Sequence, residues 1–146
     1  MSFRSGRRSY ADYGAVEEIE AEVCVIGAGA GGAAAACAIA ESGRSVVVVE
    51  EGRHWQPSEF KASAPWAFKH LYAGRGTRAA RGNAIIPIPG GRGVGGSTLI
   101  NSAICFRTPE PVLEEWRRQG LRNIDAPWMN ATFDRIWSTI GKCRRI

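Results

Sequence analysis

The chain has only two histidines and four cysteines in 146 residues. Cys24, Cys37, Cys105 and Cys143 form no C-x-x-C pair, and His54 and His70 complete no metal-ligand spacing with them. A dithiol reductase and a structural zinc site are thereby excluded, and no metal site is expected. All four thiols read as reduced and structural, with Cys24 and Cys37 as small buried side chains. No apolar run approaches the ~18 residues of a membrane span. Arg7 and Arg8 are followed by Ser9-Tyr10-Ala11-Asp12 and not by an apolar stretch, so no export signal is expected from them. The setting expected from this is cytoplasmic. Acidic residues are fewer than basic ones, 14 against 19. The surplus sits at the two ends, in Arg4, Arg7 and Arg8 and in Lys142, Arg144 and Arg145. Charge on terminal tails is not the basic stripe of a nucleic-acid-binding face. No Ser/His/Asp set and no supported carboxylate pair appears, so no catalytic residue is assigned.

Glycine is abundant, 18 residues against a usual ~7%. One cluster lies between Gly27 and Gly52 and another between Gly74 and Gly96. Clustered glycine marks backbone that bends sharply or meets a ligand closely. With 45% hydrophobic and 23% charged residues, the composition is that of a globular chain, one domain in length. Residues 1–20 read as a flexible basic and acidic arm, 21–141 as the folded domain and 142–146 as a basic tail.

Glu22-Val23-Cys24-Val25-Ile26 is a short β-branched run that stops at Gly27, the pattern of a strand buried on both faces. Gly31 to Glu41, nearly all alanine, is a helix by propensity and is ended by Ser42-Gly43. Ser45 to Glu50 is a second buried strand. Together these make one βαβ unit with parallel strands, and the fold class is a Rossmann-like α/β domain, incomplete in its sheet. Ala64 to Tyr72 is expected to form a short helix. Ala84 to Pro89 can be only an edge strand, because proline cannot donate to a central ladder. The turn Gly90 to Gly96 should enter a helix, and 111–119 and 130–140 have helical character. The second of these carries Phe133, Ile136, Trp137 and Ile140 on one stripe. The five tryptophans, Trp55, Trp66, Trp116, Trp128 and Trp137, read as core.

Gly27-Ala28-Gly29-Ala30-Gly31-Gly32 satisfies G-x-G-x-x-G between a strand and a helix, with Glu50 at the tip of the next strand. Gly27 permits the tight turn, Gly29 lets a pyrophosphate approach, and Gly32 lets helix and strand pack closely. The free amides near Ala30 and Gly31 would face the phosphates. Glu50 would accept hydrogen bonds from a ribose, which disfavours a 2′-phosphate although Arg53 is near. NAD and FAD remain. The second glycine turn, with Arg92, Gly95 and Gly96, favours FAD, whose greater length needs further backbone contacts.

The two stretches 23–32 and 91–101, with Val49-Glu50-Glu51-Gly52 between them, resemble the amino-terminal part of a glucose-methanol-choline oxidoreductase. Cys105-Phe106-Arg107-Thr108-Pro109 is similar to the long-chain alcohol oxidase and cholesterol oxidase members. The resemblance implies oxidation of an alcohol by hydride transfer to FAD, with Ser97 and Asn101 contacting the cofactor. Some members attach FAD to a histidine just before the asparagine; here that residue is Ile100, so dissociable FAD is implied. Family enzymes are much longer and carry a substrate domain and a late histidine base. The chain is therefore expected to be an FAD-binding fragment, inactive alone, with a small-molecule alcohol as substrate only in the full-length enzyme. The alternatives are a stand-alone, non-catalytic nucleotide-binding remnant or another Rossmann-type FAD or NAD oxidoreductase. Neither His54 nor His70 is expected to act as a base.

Overall fold

A computed structural model describes residues 6–12, 18–102, 104–122, 124 and 126–140. Parts of the amino-terminal arm, Cys143 and the whole 142–146 tail lie outside these. The chain divides into two units, Met1–Ala103 and Ile104–Ile146.

The first unit opens with a single 3-10 turn at Tyr10–Asp12 and then the βαβ element. Strand β1 is Val23–Ile26, helix α1 is Ala30–Glu41 and strand β2 is Val46–Val49. β1 and β2 run parallel, with Val23 opposite Val46 and Ile26 opposite Val49. Gly27 N donates to Val49 O at 2.7 Å, extending the ladder to the mouth of the glycine turn. At the other end Glu22 and Ser45 close it reciprocally. Glu22 N donates to Ser45 Oγ at 2.9 Å, and Ser45 N donates to Glu22 Oε2 at 2.8 Å. Helix α1 stops where serine and glycine were expected to stop it, with Ser42 as the cap and Gly43 at φ +87°.

The strands are not buried on both faces. Val23 and Val25 are half-buried while Cys24 and Ile26 are exposed, Ile26 at 88% and Val49 at 54%. α1 covers one face, through Gly32, Ala36 and Ile39 at helical spacing, and among the described residues the sheet has two strands. Buried thiols were also a mistaken expectation. Cys24 points with the uncovered face of β1, Cys37 lies on the outer face of α1, and both are exposed and unpaired, as is Cys105.

Helix α2, Ala64–His70, begins at Ser63, whose hydroxyl accepts from Trp66 N, and carries Pro65 in its first turn. Strand β3, Ala79–Arg81, was not foreseen. It pairs antiparallel with β4, Ile85–Pro87, as an exposed hairpin that tolerates Pro87 because both of its strands are edges. The expected helix after Gly96 is instead one 3-10 turn, Gly96–Leu99. Its entry is held by left-handed Gly95 and Gly96, at φ +108° and +54°, and Thr98 Oγ1 donates back to Gly95 O at 2.6 Å.

In the second unit α3 is Glu110–Arg118 and α4 is Ala126–Ile140. Leu113 is buried, and Arg117 joins Glu110 at 2.7 Å and Ile124 O at 3.2 Å. Arg107 pairs with Asp134. The tryptophans divide. Trp55 and Trp66 are half-buried, whereas Trp116, Trp128 and Trp137 are exposed and so not core. The apolar stripe of α4 is likewise open at Ile136 and Trp137.

Candidate nucleotide site

The two glycine clusters, far apart in sequence, meet in space. Gly29 and Gly95 form an isolated parallel bridge, and Gly95 N donates to Ala28 O at 2.8 Å. The contact is possible only without side chains: a Cβ on Gly96 would lie 2.9 Å from Gly29 Cα, and one on Gly91 would lie 2.7 Å from Gly96 C. Gly32 plays the close-packing role assigned to it, since a Cβ there would collide with Gly27 O. Gly27 makes the turn at φ +93°. Added Cβ atoms on Gly27 and Gly31 would meet nothing within 4 Å, so these two glycines open onto free space at the start of α1.

That space includes a cavity of about 400 Å³ lined by Ile26, Gly27, Val49, Glu50, Glu51, Gly91 and Gly96. The ends of both parallel strands thus converge on it with both glycine turns. Of its two acids, Glu50 and Glu51, the first is part-buried and fixed from two sides. Ala28 N donates to Oε2 at 2.8 Å and Gly52 N donates to Oε1 at 2.9 Å. Each carboxylate oxygen accepts one backbone bond and keeps lone-pair capacity for a hydroxyl. The first amides of α1, at Ala30, Gly31 and Gly32, have no intrahelical partners and give the turn a positive end. A glycine cradle, a helix start and a carboxylate beside it fit a dinucleotide whose pyrophosphate meets the turns and whose ribose meets Glu50.

Of the residues singled out from sequence, Gly27, Glu50 and Gly96 line this cavity, and Gly29 and Gly95 brace it. Ala30, Gly31 and Gly32 form the helix start. Ser97 supports the second turn from behind, its Oγ accepting from Gly91 N at 3.1 Å. Asn101 is exposed and is not among the lining residues. Arg92 turns away to Glu51, with Nε 3.4 Å from Oε2, and lines a neighbouring cavity. Sequence reasoning missed Gly91 and the apolar wall of Ile26 and Val49. The signal for the wall was present, because the carboxyl ends of parallel strands are where such folds bind ligands. His54 Nδ1 is 3.1 Å from Gln56 Nε2, and the His70 ring packs between Trp55 and Trp66. Neither histidine lines the cavity.

Comparison with known proteins agrees with this geometry. A family model described as FAD binding domain matches residues 22–68, and one described as GMC oxidoreductase matches residues 68–145. An uncharacterised GMC-type oxidoreductase of Mycobacterium tuberculosis is 39% identical over 122 residues, covering 82% of this chain and 19% of that protein. Another from Sinorhizobium fredii is 41% identical over 101 residues, or 69% of this chain and 20% of that one. A long-chain-alcohol oxidase of Arabidopsis thaliana is 36% identical over 98 residues, 67% of this chain and 13% of that enzyme. The chain therefore spans a fifth or less of the length of these curated relatives. No solved structure matches it. Among the described residues no helix is long and apolar enough to cross a membrane. The cofactor of the region is FAD. With glycine turns, acid and family model in agreement, the chain belongs to the GMC oxidoreductase family.

Proposed function

We propose that the chain is the FAD-binding portion, over about residues 21–141, of an oxidoreductase that oxidises an alcohol by hydride transfer to FAD. The observation that carries this reading is the meeting of the Gly27–Gly32 and Gly91–Gly96 turns beside Glu50. FAD, when bound, supplies the hydride acceptor. The protein's part is to bind and orient it: amides at the start of α1 for the pyrophosphate, Glu50 for the ribose, and the second turn for the remaining length. Arg53 favours FAD over a 2′-phosphorylated dinucleotide, because its guanidinium is committed to Glu59 and lies 4.4 Å over the Trp55 ring. Ile100 before Asn101 supports non-covalent attachment. Neither histidine lines the cavity, and this portion alone is expected to bind FAD without turning over an alcohol. The named activity of the plant relative supports a long-chain alcohol as the substrate class. Three unpaired thiols, Cys24, Cys37 and Cys105, support a reducing, cytoplasmic setting.

The test is titration of the full chain with FAD, followed by quenching of flavin fluorescence. Saturable binding, weakened about tenfold or more by Glu50→Gln and released entirely by acid precipitation, is the expected result. Absence of saturation, or an affinity indifferent to Glu50→Gln, would overturn the reading. Reduction of the bound flavin by a primary alcohol would overturn the part of it that denies catalysis to this portion.

A further inference from the structure

The second glycine turn is fastened at both ends. At its entry Ala73 N donates to Gly90 O and Arg92 N donates to Leu71 O, each at 2.8 Å, about the antiparallel bridge of Tyr72 with Gly91. Leu71 and Ala73 are buried, so this end rests on well-covered backbone. At its exit Val94 N donates to Arg53 O at 3.2 Å, and Gly95 N reaches Ala28 O in the first turn. Between these anchors the Arg92–Gly93 peptide passes over Gly52, in the loop that follows β2. A Cβ on Gly52 would overlap Gly93 N and lie 2.6 Å from Gly93 Cα and 2.7 Å from Arg92 C. All three are backbone atoms, so no flexible side chain can swing aside to admit it. Gly93 cannot simply back away, because the bonds of Arg92 N and Val94 N hold it from either side. Gly52 has no positive φ, so what it supplies is room and not backbone freedom.

Gly52 does not line the nucleotide cavity, yet it joins two parts of the frame around it. Its N–H donates to Glu50 Oε1 at 2.9 Å, and its bare α-carbon seats the second turn. We propose, resting on the FAD reading, that Gly52 is a positioning residue for the cofactor: it sets the distance between Glu50 and the Gly91–Gly96 turn, and so selects the whole of FAD over its adenosine half. Gly52→Ala keeps the N–H that holds Glu50. Its Cβ pushes the second turn outward and opens the contact of Gly95 with Gly29, while the first turn and its acid stay in place.

The test uses the full chain, with FAD binding read by flavin fluorescence and AMP binding by amide chemical shifts. Gly52→Ala is expected to weaken FAD roughly tenfold to a hundredfold and AMP by less than about twofold. Gly43→Ala is the matched control, since it strains a backbone at φ +87° in the same βαβ unit where an added Cβ would meet nothing within 4 Å. Its loss of stability should leave the ratio of the two affinities unchanged. A second measurement needs no variant, and decides alone where Gly52→Ala does not fold. FAD should slow solvent exchange at Val94 N, whose residue lies outside the cavity lining, whereas AMP should not. The proposal is overturned by FAD and AMP weakened in equal proportion, by an FAD affinity indifferent to Gly52→Ala, or by equal protection of Val94 with either ligand. An unmutated chain that never saturates with FAD would sink the cofactor reading and this proposal together; saturation with an unmoved ratio would sink this proposal alone.

Discussion

Glu50 has a structural task besides the ribose contact proposed for it. Its carboxylate joins Ala28 N, in the first glycine turn, to Gly52 N, just past the second strand, so it braces the empty turn as well as the filled one. Hydrogen bonds to a charged acceptor contribute about 1.5–3 kcal/mol each. Glu50→Gln keeps one acceptor oxygen and sets an NH₂ against the other amide. We expect it to lower the melting temperature of the FAD-free chain, as well as weakening FAD. Thermal denaturation without cofactor checks this; an unchanged midpoint would mean that Glu50 serves the ligand alone. Gly96→Ala bears on the same turn from the other side, since its Cβ would press on Gly29 Cα at 2.9 Å from a backbone at φ +54°. A cost of about 1–3 kcal/mol is expected from the collision. It should show as lost FAD affinity in a titration, because the two turns would be forced apart.

At the scale of the element, the βαβ unit is closed at its base by Glu22 and Ser45. The Glu22 carboxyl is held below its ordinary pKa, first by the hydrogen bond from Ser45 N, then by the Ser45 hydroxyl, with Arg44 adding charge. A lowered carboxylate pKa means that the folded state favours the charged form, so this contribution is present above the ordinary glutamate pKa and is lost as pH falls through the lowered one. Ser45→Ala removes the hydroxyl and keeps the amide, so the Glu22 pKa should rise only part of the way. A carboxyl-carbon NMR titration reads it; a complete return to the ordinary value would make the hydroxyl the main cause. The unit itself was legible in the sequence because Val23–Ile26 and Val46–Val49 are β-branched runs and Gly27 and Gly43 punctuate them. Burial of those runs was not legible. A continuous apolar strand reads as covered on both faces, but the second cover must come from other elements, and Cys24 and Ile26 show that here it does not. The hairpin of Ala79–Arg81 with Ile85–Pro87 and the short turn at Gly96–Leu99 were equally hidden. The first has too few residues for a period, and the second is a single turn with 3-10 spacing, Thr98 N donating to Gly95 O and Ile100 N to Ser97 O.

For the whole molecule the decisive quantity is apolar surface left in water. Among the described residues only Leu71, Ala73 and Leu113 are buried hydrophobics. The outer face of β1 and β2 presents Ile26 and Val49, and the hairpin presents Ile85 and Ile86 at 70% and 60% exposure. Burial supplies about 25 cal/mol per Å², so a chain with so little of it gains little against the entropy of ordering its backbone. Contiguous exposed apolar patches also mark surfaces that associate, and the unpaired edges of a two-stranded sheet add free donors and acceptors to them. The proposed FAD site sits at the end of that same sheet, so cofactor binding should steady β1, α1 and the two glycine turns while leaving the outer faces bare. The full chain is therefore expected to bind an apolar dye such as ANS and to melt over a broad range, with FAD raising the midpoint but not abolishing the dye signal. Calorimetry and dye fluorescence, each with and without FAD, separate the two effects. A sharp transition with no dye bound would mean that these faces are covered within the chain itself. Loss of the dye signal on adding FAD would mean that the cofactor, and not a further protein surface, is what they await.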